Sequence, residues 1–88
     1  MKLDIGQRID VEIDLEDLFD QVDGKIIATW FHKGNPIYVE LEVSASLVKH
    51  ILKYFETTKR RTALLSITRI SQRKYEVHPT VVVISKQD

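Results

Sequence analysis

The feature that most constrains the fold is the alternation of apolar and polar residues in residues 25–43, KIIATWFHKGNPIYVELEV. In its second half the apolar positions recur at every other residue from Ile37 to Val43. This period of two is typical of a half-buried strand. Gly34 and Asn35 tolerate positive φ, and Pro36 follows them without a backbone donor. The stretch therefore predicts a β-hairpin.

The length of the hairpin loop decides which side chains face the core. A loop of two residues (34–35) or four residues (33–36) places Phe31 opposite Tyr38 on the outer face and Trp30 on the core face. A three-residue loop puts Trp30 outside instead, because a shift of one residue exchanges the faces of a strand. Each register leaves an aromatic pair on a face that meets water.

The remaining sequence alternates between strand-like and helix-like segments. Strands are predicted over residues 8–15, 62–72 and 75–85, and the apolar VVVI run near the end of the last one indicates burial on both faces. The acidic segment 16–24 is either a short helix or a loop, with Phe19 tucked into the core in the second case.

Residues 44–59 carry the clearest helical pattern. Their apolar residues fall on one stripe that includes Leu47, Ile51 and Phe55. Ser44 or Ser46 has the side-chain oxygen that accepts a backbone N–H at the start of a helix. We expect this helix to end near residues 57–58.

The chain of 88 residues predicts one domain, with a core spanning about residues 7–85. Its hydrophobic content of 43% and charged content of 30% are ordinary for a globular protein, so no long disordered region is expected. Cysteine is absent, which excludes disulfides and thiolate metal sites. No stretch resembles a signal peptide or a membrane span, and we expect a cytoplasmic protein.

The charges are segregated along the chain although the net charge is zero. Residues 1–43 hold four Lys or Arg against ten Asp or Glu, a net of −6, and residues 44–88 hold nine against three, a net of +6. This division is compatible with a basic surface for a polyanion, with self-association or with an acidic partner surface. It is equally compatible with opposite charges that meet across strands of the folded chain.

The order of elements, with one helix between the third and fourth of five strands, resembles the OB-fold. This fold is a five-stranded antiparallel Greek-key barrel, and the resemblance covers residues 7–85 by element order and length. The alternative is a ferredoxin-like α+β sandwich, in which residues 16–22 form a full helix.

The resemblance implies single-stranded nucleic acid (ssDNA or RNA) as the ligand, bound across strands two and three and the loop between strands four and five. Such binding needs aromatic faces for base stacking and cations for phosphates. The residues that fit these roles are Trp30, Phe31, Lys33, Tyr38, Arg69, Arg73, Lys74 and Tyr75. We therefore expect a non-catalytic nucleic-acid binder, with a homodimer as one form.

The alternative function is a protein-interaction module or a small subunit of a complex, which self-associates through its acidic and basic faces. It is favoured by acidic residues such as Glu12 and Glu40, which would repel phosphate near the aromatic residues. No enzyme is expected, because the three histidines do not form metal-ligand pairs and no phosphate loop or nucleophile motif is present. Neither a cofactor nor a metal is expected.

Overall fold

The computed structural model describes residues 1–20 and 24–80, and the predictions that concern residues 21–23 of the acidic segment and the VVVI run at residues 81–84 lie outside them. The described part is mostly β, with a five-stranded antiparallel sheet and two helices. The elements are β1 (Arg8–Asp14), α1 (Leu15–Phe19), β2 (Lys25–His32), β3 (Asn35–Glu42), α2 (Ala45–Thr58), β4 (Thr62–Arg69) and β5 (Tyr75–Pro79). None of the helices in these ranges is long and apolar enough to cross a membrane.

The strands lie in the order β3-β2-β1-β4-β5. The first three strands follow one another across the sheet, and β4 returns after α2 to pair with β1. This arrangement is a Greek key, in which the fourth strand lies beside the first. The described sheet is open, with β3 and β5 at its two edges, so the prediction of a mostly β fold with five antiparallel strands is confirmed and the closed barrel is not.

One face of the sheet carries the hydrophobic core. The buried strand residues occupy every other position, as Ile9, Val11 and Ile13 do in β1. Helix α2 places Leu47, Ile51 and Phe55 into the same cluster. The opposite face, which we call the outer face, carries the alternate residues of each strand.

Helix α2 forms where its apolar stripe predicts it. The Oγ of Ser44 accepts a hydrogen bond from the backbone N–H of Leu47 at 3.1 Å, so Ser44 rather than Ser46 is the N-cap. The helix ends at Thr58, and Lys59 takes a left-handed conformation with φ 56°. Its backbone N–H donates to the carbonyl of Phe55, which closes the helix with the usual left-handed C-cap.

The acidic segment after β1 begins with the short helix α1. Within α1 the buried apolar side chain is Leu18, whereas Phe19 is 70% exposed. The expectation that Phe19 enters the core is therefore wrong. Leu18 occupies the inward position of the single helical turn, and the next residue points about 100° away from it.

The hairpin has the faces expected for a loop of two or four residues, but its register differs from both alternatives. Its turn is Lys33 and Gly34, with φ 52° and 80°, and left-handed conformations at both positions are typical of a type I′ turn. Tyr38 consequently lies opposite Thr29 rather than opposite Phe31. A turn at Gly34 and Asn35 would require a backbone hydrogen bond from the residue after it, which is Pro36 and has no N–H.

Each edge strand carries one of the two prolines of the chain, Pro36 in β3 and Pro79 in β5. Pro36 pairs with Phe31, and Pro79 pairs with Leu65. In both strand pairs, the residues next to the proline make the backbone hydrogen bonds between the strands. At the position of each proline, a backbone N–H would point away from the partner strand, toward the free edge. Each proline thereby removes one donor from its free edge, which disfavours pairing with another strand at that point.

The N-terminal segment connects the C-terminal part of β3 to the end of β4, where Gly6 N–H donates to the Arg69 carbonyl. The amino group of Met1 donates to the carbonyl of Glu40, and Glu42 N–H donates to the carbonyl of Met1 at 2.9 Å, so Met1 pairs with the free edge of β3. Leu3 is only 2% exposed. The core therefore includes a residue that lies before those assigned to it from the sequence.

Candidate functional site

The turn between β2 and β3 and the loop between β4 and β5 lie at the same end of the sheet. Strand β1 is antiparallel to both β2 and β4, and Arg8 at its start pairs with Thr68 near the end of β4. The ends of β2 and β4 therefore both lie beside the start of β1. We call the region formed by residues 33–34 and 70–74 the hairpin end.

The aromatic pair Phe31 and Tyr38 lies on the outer face of the hairpin, with Phe31 next to the turn and Tyr38 in the middle of β3. Phe31 is opposite Pro36, and Tyr38 is opposite Thr29, so the two rings are diagonal neighbours rather than direct partners. Diagonal positions on paired strands are about 7–8 Å apart, within reach of aromatic side chains. Tyr38 is 84% exposed and Phe31 is half-buried. Tyr38 offers the more accessible stacking surface.

Trp30 and Tyr75 lie on the core side of the sheet. Trp30 pairs with Val11, is half-buried against the core, and its ring centroid lies 4.6 Å from that of His32. Tyr75 is half-buried against the same core. Both rings serve packing at the hairpin end, and neither shares the outer face with Tyr38.

Arg69 connects the N-terminal segment to the β4–β5 loop. Its Nη1 donates to the carbonyl of Leu3 at 2.8 Å, and its Nη2 donates to the carbonyl of Gln72 at 3.0 Å. Its Nε is buried without a hydrogen-bond partner. The guanidinium is therefore directed into the structure and positions the loop that carries Arg73 and Lys74.

Lys33, Arg73 and Lys74 are the exposed cations of the hairpin end. Within residues 1–20 and 24–80, none of the three forms an ion pair. Their charges are thus not compensated by a neighbouring carboxylate of the described chain.

Acidic side chains lie level with Tyr38 and beyond it on the outer face. One row across four strands runs through Tyr38, Thr29, Glu12 and Leu64, which places a carboxylate two strands from the tyrosine. Glu40 follows Tyr38 on the same face of β3. Phosphates are repelled from the middle of the outer face, and the hairpin end is the part that remains favourable for an anion.

A second surface was not identified from the sequence. A groove of about 310 Å³ lies between α1 and the C-terminal part of α2, and we call it the α1–α2 groove. It is lined by Leu15, Phe19, Leu52, Phe55, Glu56, Lys59, Arg60 and Arg61. The signals in the sequence were a phenylalanine among acids and a run of three cations, but only the fold brings the two together.

The acids beside this groove repel one another. Partial burial and the nearby carboxylates of Asp14, Asp20 and Glu16 raise the pKa of Asp17. Asp14 also accepts a hydrogen bond from the Thr62 hydroxyl at 2.8 Å. The α1 side of the groove is therefore an acidic surface whose negative charge is not neutralised locally.

Residues 1–20 and 24–80 contain no group of three His, Asp or Glu side chains arranged to hold a metal ion. His32 lies against Trp30, and His78 lies 3.7 Å from the Glu76 carboxylate on an exposed strand. Comparison of the chain with protein-family models, curated proteins and solved structures finds no match.

Proposed function

We propose that this chain is a non-catalytic protein that binds single-stranded nucleic acid at the hairpin end. The observation that carries the proposal is that the uncompensated cations Lys33, Arg73 and Lys74 are grouped at the hairpin end, next to the hairpin that carries exposed Tyr38 on its outer face. Single strands are held by aromatic faces that stack on bases and by cations that follow the phosphates. Both components are present on one surface.

The proposed path crosses the hairpin end from β3 to the β4–β5 loop. Neighbouring strands are about 4.8 Å apart, so the path from β3 across β2 and β1 to the β4–β5 loop has the length of a few nucleotides. Tyr38 stacks on a base, with Phe31 beside it, and the cations contact the flanking phosphates. The Greek-key order of the strands supports an OB-like barrel as the scaffold, with closure of the barrel as part of the proposal.

Three phosphate contacts predict a moderate dependence on salt. For single strands the slope of log Kobs against log salt concentration is about −0.7 for each contact, which gives about −2 here. A fourfold increase in salt should then weaken binding roughly 20-fold. Fluorescence anisotropy with labelled oligo-dT and oligo-U, and duplex DNA as the control, measures this slope.

The stacking component is tested with Tyr38→Ala. Loss of one stacked base costs about 1–3 kcal/mol, so affinity should fall at least fivefold. The matched control is Phe19→Ala, which removes another exposed aromatic side chain from a different part of the molecule. Equal affinity of the folded Tyr38→Ala variant and the wild type would contradict the proposal.

The phosphate component is tested with a pair of double variants that remove the same charge. Arg73→Gln with Lys74→Gln should weaken binding and lower the salt slope, because two contacts are lost. Lys49→Gln with Lys53→Gln, on the exposed side of α2, should have little effect. If both pairs weaken binding equally, attraction is non-specific and the hairpin end is not the site.

Protein binding is the second candidate function, and it is favoured by the carboxylates near Tyr38. An exposed tyrosine close to Glu12 and Glu40 fits a protein surface with complementary basic residues. Failure of oligonucleotides to bind even at low salt, where electrostatic attraction is strongest, would favour this candidate.

A further inference from the structure

The α1–α2 groove is a surface that neither candidate function uses. Its apolar part consists of Leu15, Phe19, Leu52 and Phe55. Phe19 is 70% exposed, which is unusual for a large aromatic side chain next to an open apolar groove. The groove therefore has the size and polarity to receive a side chain such as phenylalanine.

Most charges around this groove are divided by sign, and Glu56 of α2 is the acid that lies on the basic side. Helix α1 contributes Glu16 and Asp17, and Asp20 follows it, whereas the turn after α2 contributes the cations of residues 59–61. The backbone N–H of Leu15 donates to the Arg61 carbonyl at 2.7 Å, so the acidic and basic sides are adjacent. In the described part of the chain, these acids and cations nevertheless form no ion pair with one another.

An apolar centre with acids on one side and cations on the other is complementary to itself after a two-fold rotation. Such a rotation places the acidic side of one copy against the basic side of the other, twice. A partner of a single charge would be repelled by one of the two sides. Because the net charge of the chain is zero, two copies also approach without long-range repulsion.

We propose that two copies of this chain form a symmetric dimer through the α1–α2 groove. Phe19 of each copy enters the groove of the other, and the acids of α1 face the partner's residues 59–61. The prolines on both sheet edges disfavour dimers that extend the sheet, so the contact is made by side chains. The surface is small, and the dimer is weak and sensitive to salt.

The first measurement is sedimentation equilibrium of the full chain at increasing protein concentration, at low and at high salt. The expected result is a reversible monomer–dimer equilibrium that shifts to monomer at high salt. Phe19→Ala should shift it to monomer at all concentrations, whereas Tyr38→Ala should dimerise as the wild type does. If the wild-type chain stays monomeric up to millimolar concentration, the proposal is overturned. The groove would then be a binding surface for a different protein.

A charge exchange provides the decisive test. One variant carries Glu16→Lys and Asp20→Lys, and the other carries Arg60→Glu and Arg61→Glu. Each alone should be monomeric because like charges meet twice, but an equimolar mixture should restore the dimer because both contacts are then attractive. Lys49→Glu with Lys53→Glu makes the same charge change elsewhere on α2 and should leave dimerisation unchanged.

Circular dichroism of each charge variant shows whether it is folded. If the two folded variants remain monomeric when mixed, or if either dimerises alone as the wild type does, the proposed contact is wrong. Oligonucleotide binding by Phe19→Ala, measured in parallel, separates this outcome from the nucleic-acid proposal, since Phe19 is remote from the hairpin end.

Discussion

Lys33 and Lys59 adopt a left-handed backbone conformation, with φ 52° and 56°. This conformation costs an L-residue about 1–2 kcal/mol, and glycine or asparagine usually occupies such positions. Strain of this kind is often retained at functional sites. Lys33 belongs to the hairpin end and Lys59 lines the α1–α2 groove, so both strained positions supply a cation to a proposed surface.

We expect Lys33→Asn and Lys59→Gly each to raise the free energy of unfolding by about 0.5–1 kcal/mol, because relief of strain exceeds the added freedom of the unfolded chain. Lys33→Asn should also weaken oligonucleotide binding, and Lys59→Gly should weaken dimerisation. Urea denaturation measures the stability. Lys53→Gly, in the middle of α2, is the matched control and should lower stability by about 1 kcal/mol.

At the scale of the element, nearby residues were sufficient to predict helix α2, but they were not sufficient to predict the register of the hairpin. The apolar stripe and a serine cap define α2, and both are properties of nearby residues. In the hairpin, alternation predicted which residues of one strand share a face, but it left open how the faces of the two strands combine. The pairing differed by two residues because Pro36 lacks the N–H that the expected turn requires, a constraint that periodicity does not contain.

The N-cap of α2 provides a test at this scale. Ser44→Ala removes the acceptor for Leu47 N–H and should lower the free energy of unfolding by about 0.5–2 kcal/mol. Ser46→Ala removes an identical hydroxyl from an exposed position inside the helix and should change stability by less than about 0.5 kcal/mol. Thermal and urea unfolding compare the two variants. Equal losses for both would mean that the cap is not stabilising.

In the candidate site, too, some positions could be predicted from nearby residues, and others depend on contacts between residues far apart in the chain. Strand alternation predicted an aromatic pair on the outer face, and the turn at Lys33 and Gly34 decides that the pair is Phe31 and Tyr38. Arg69 was expected to offer its charge to a ligand, but its guanidinium donates to Leu3 and Gln72. A contact between Arg69 and a residue 66 positions earlier has no periodic signal in the sequence, so only the folded chain could show it.

At the scale of the molecule, the acidic and basic halves form no ion pair with each other within residues 1–20 and 24–80. The ion pairs in residues 1–20 and 24–80 are Arg8 with Asp10 and, when the histidine is protonated, His78 with Glu76. Each pair lies within one half of the chain, so neither joins the acidic half to the basic half. The segregated charges are therefore available to ligands and to other molecules.

This unpaired acidity predicts how stability depends on pH. Partial burial, followed by Asp14, Asp20 and Glu16, raises the pKa of Asp17 in the folded state. A raised pKa favours the protonated carboxyl, so this group stabilises the fold at low pH and loses that contribution as the pH rises through its folded pKa. At neutral pH, Asp17→Asn should therefore raise the free energy of unfolding.

The gain for Asp17→Asn should be below about 0.5 kcal/mol, because the site is close to solvent. It should disappear as the pH falls below about 4, where the wild-type carboxyl is itself protonated. Urea unfolding of both proteins across this pH range, at a protein concentration low enough to keep them monomeric, measures the difference. A difference that does not change with pH would show that repulsion among the carboxylates is not its cause.

The left-handed backbone conformation of Lys33 also has a genetic consequence. A lysine codon becomes an asparagine codon by one change at its third base, so the better turn residue at position 33 is a single mutation away. Selection for heat resistance alone should recover Lys33→Asn early from a random library. Selection that also requires oligonucleotide binding should retain the lysine, and the two populations would then separate stability from function at this one codon.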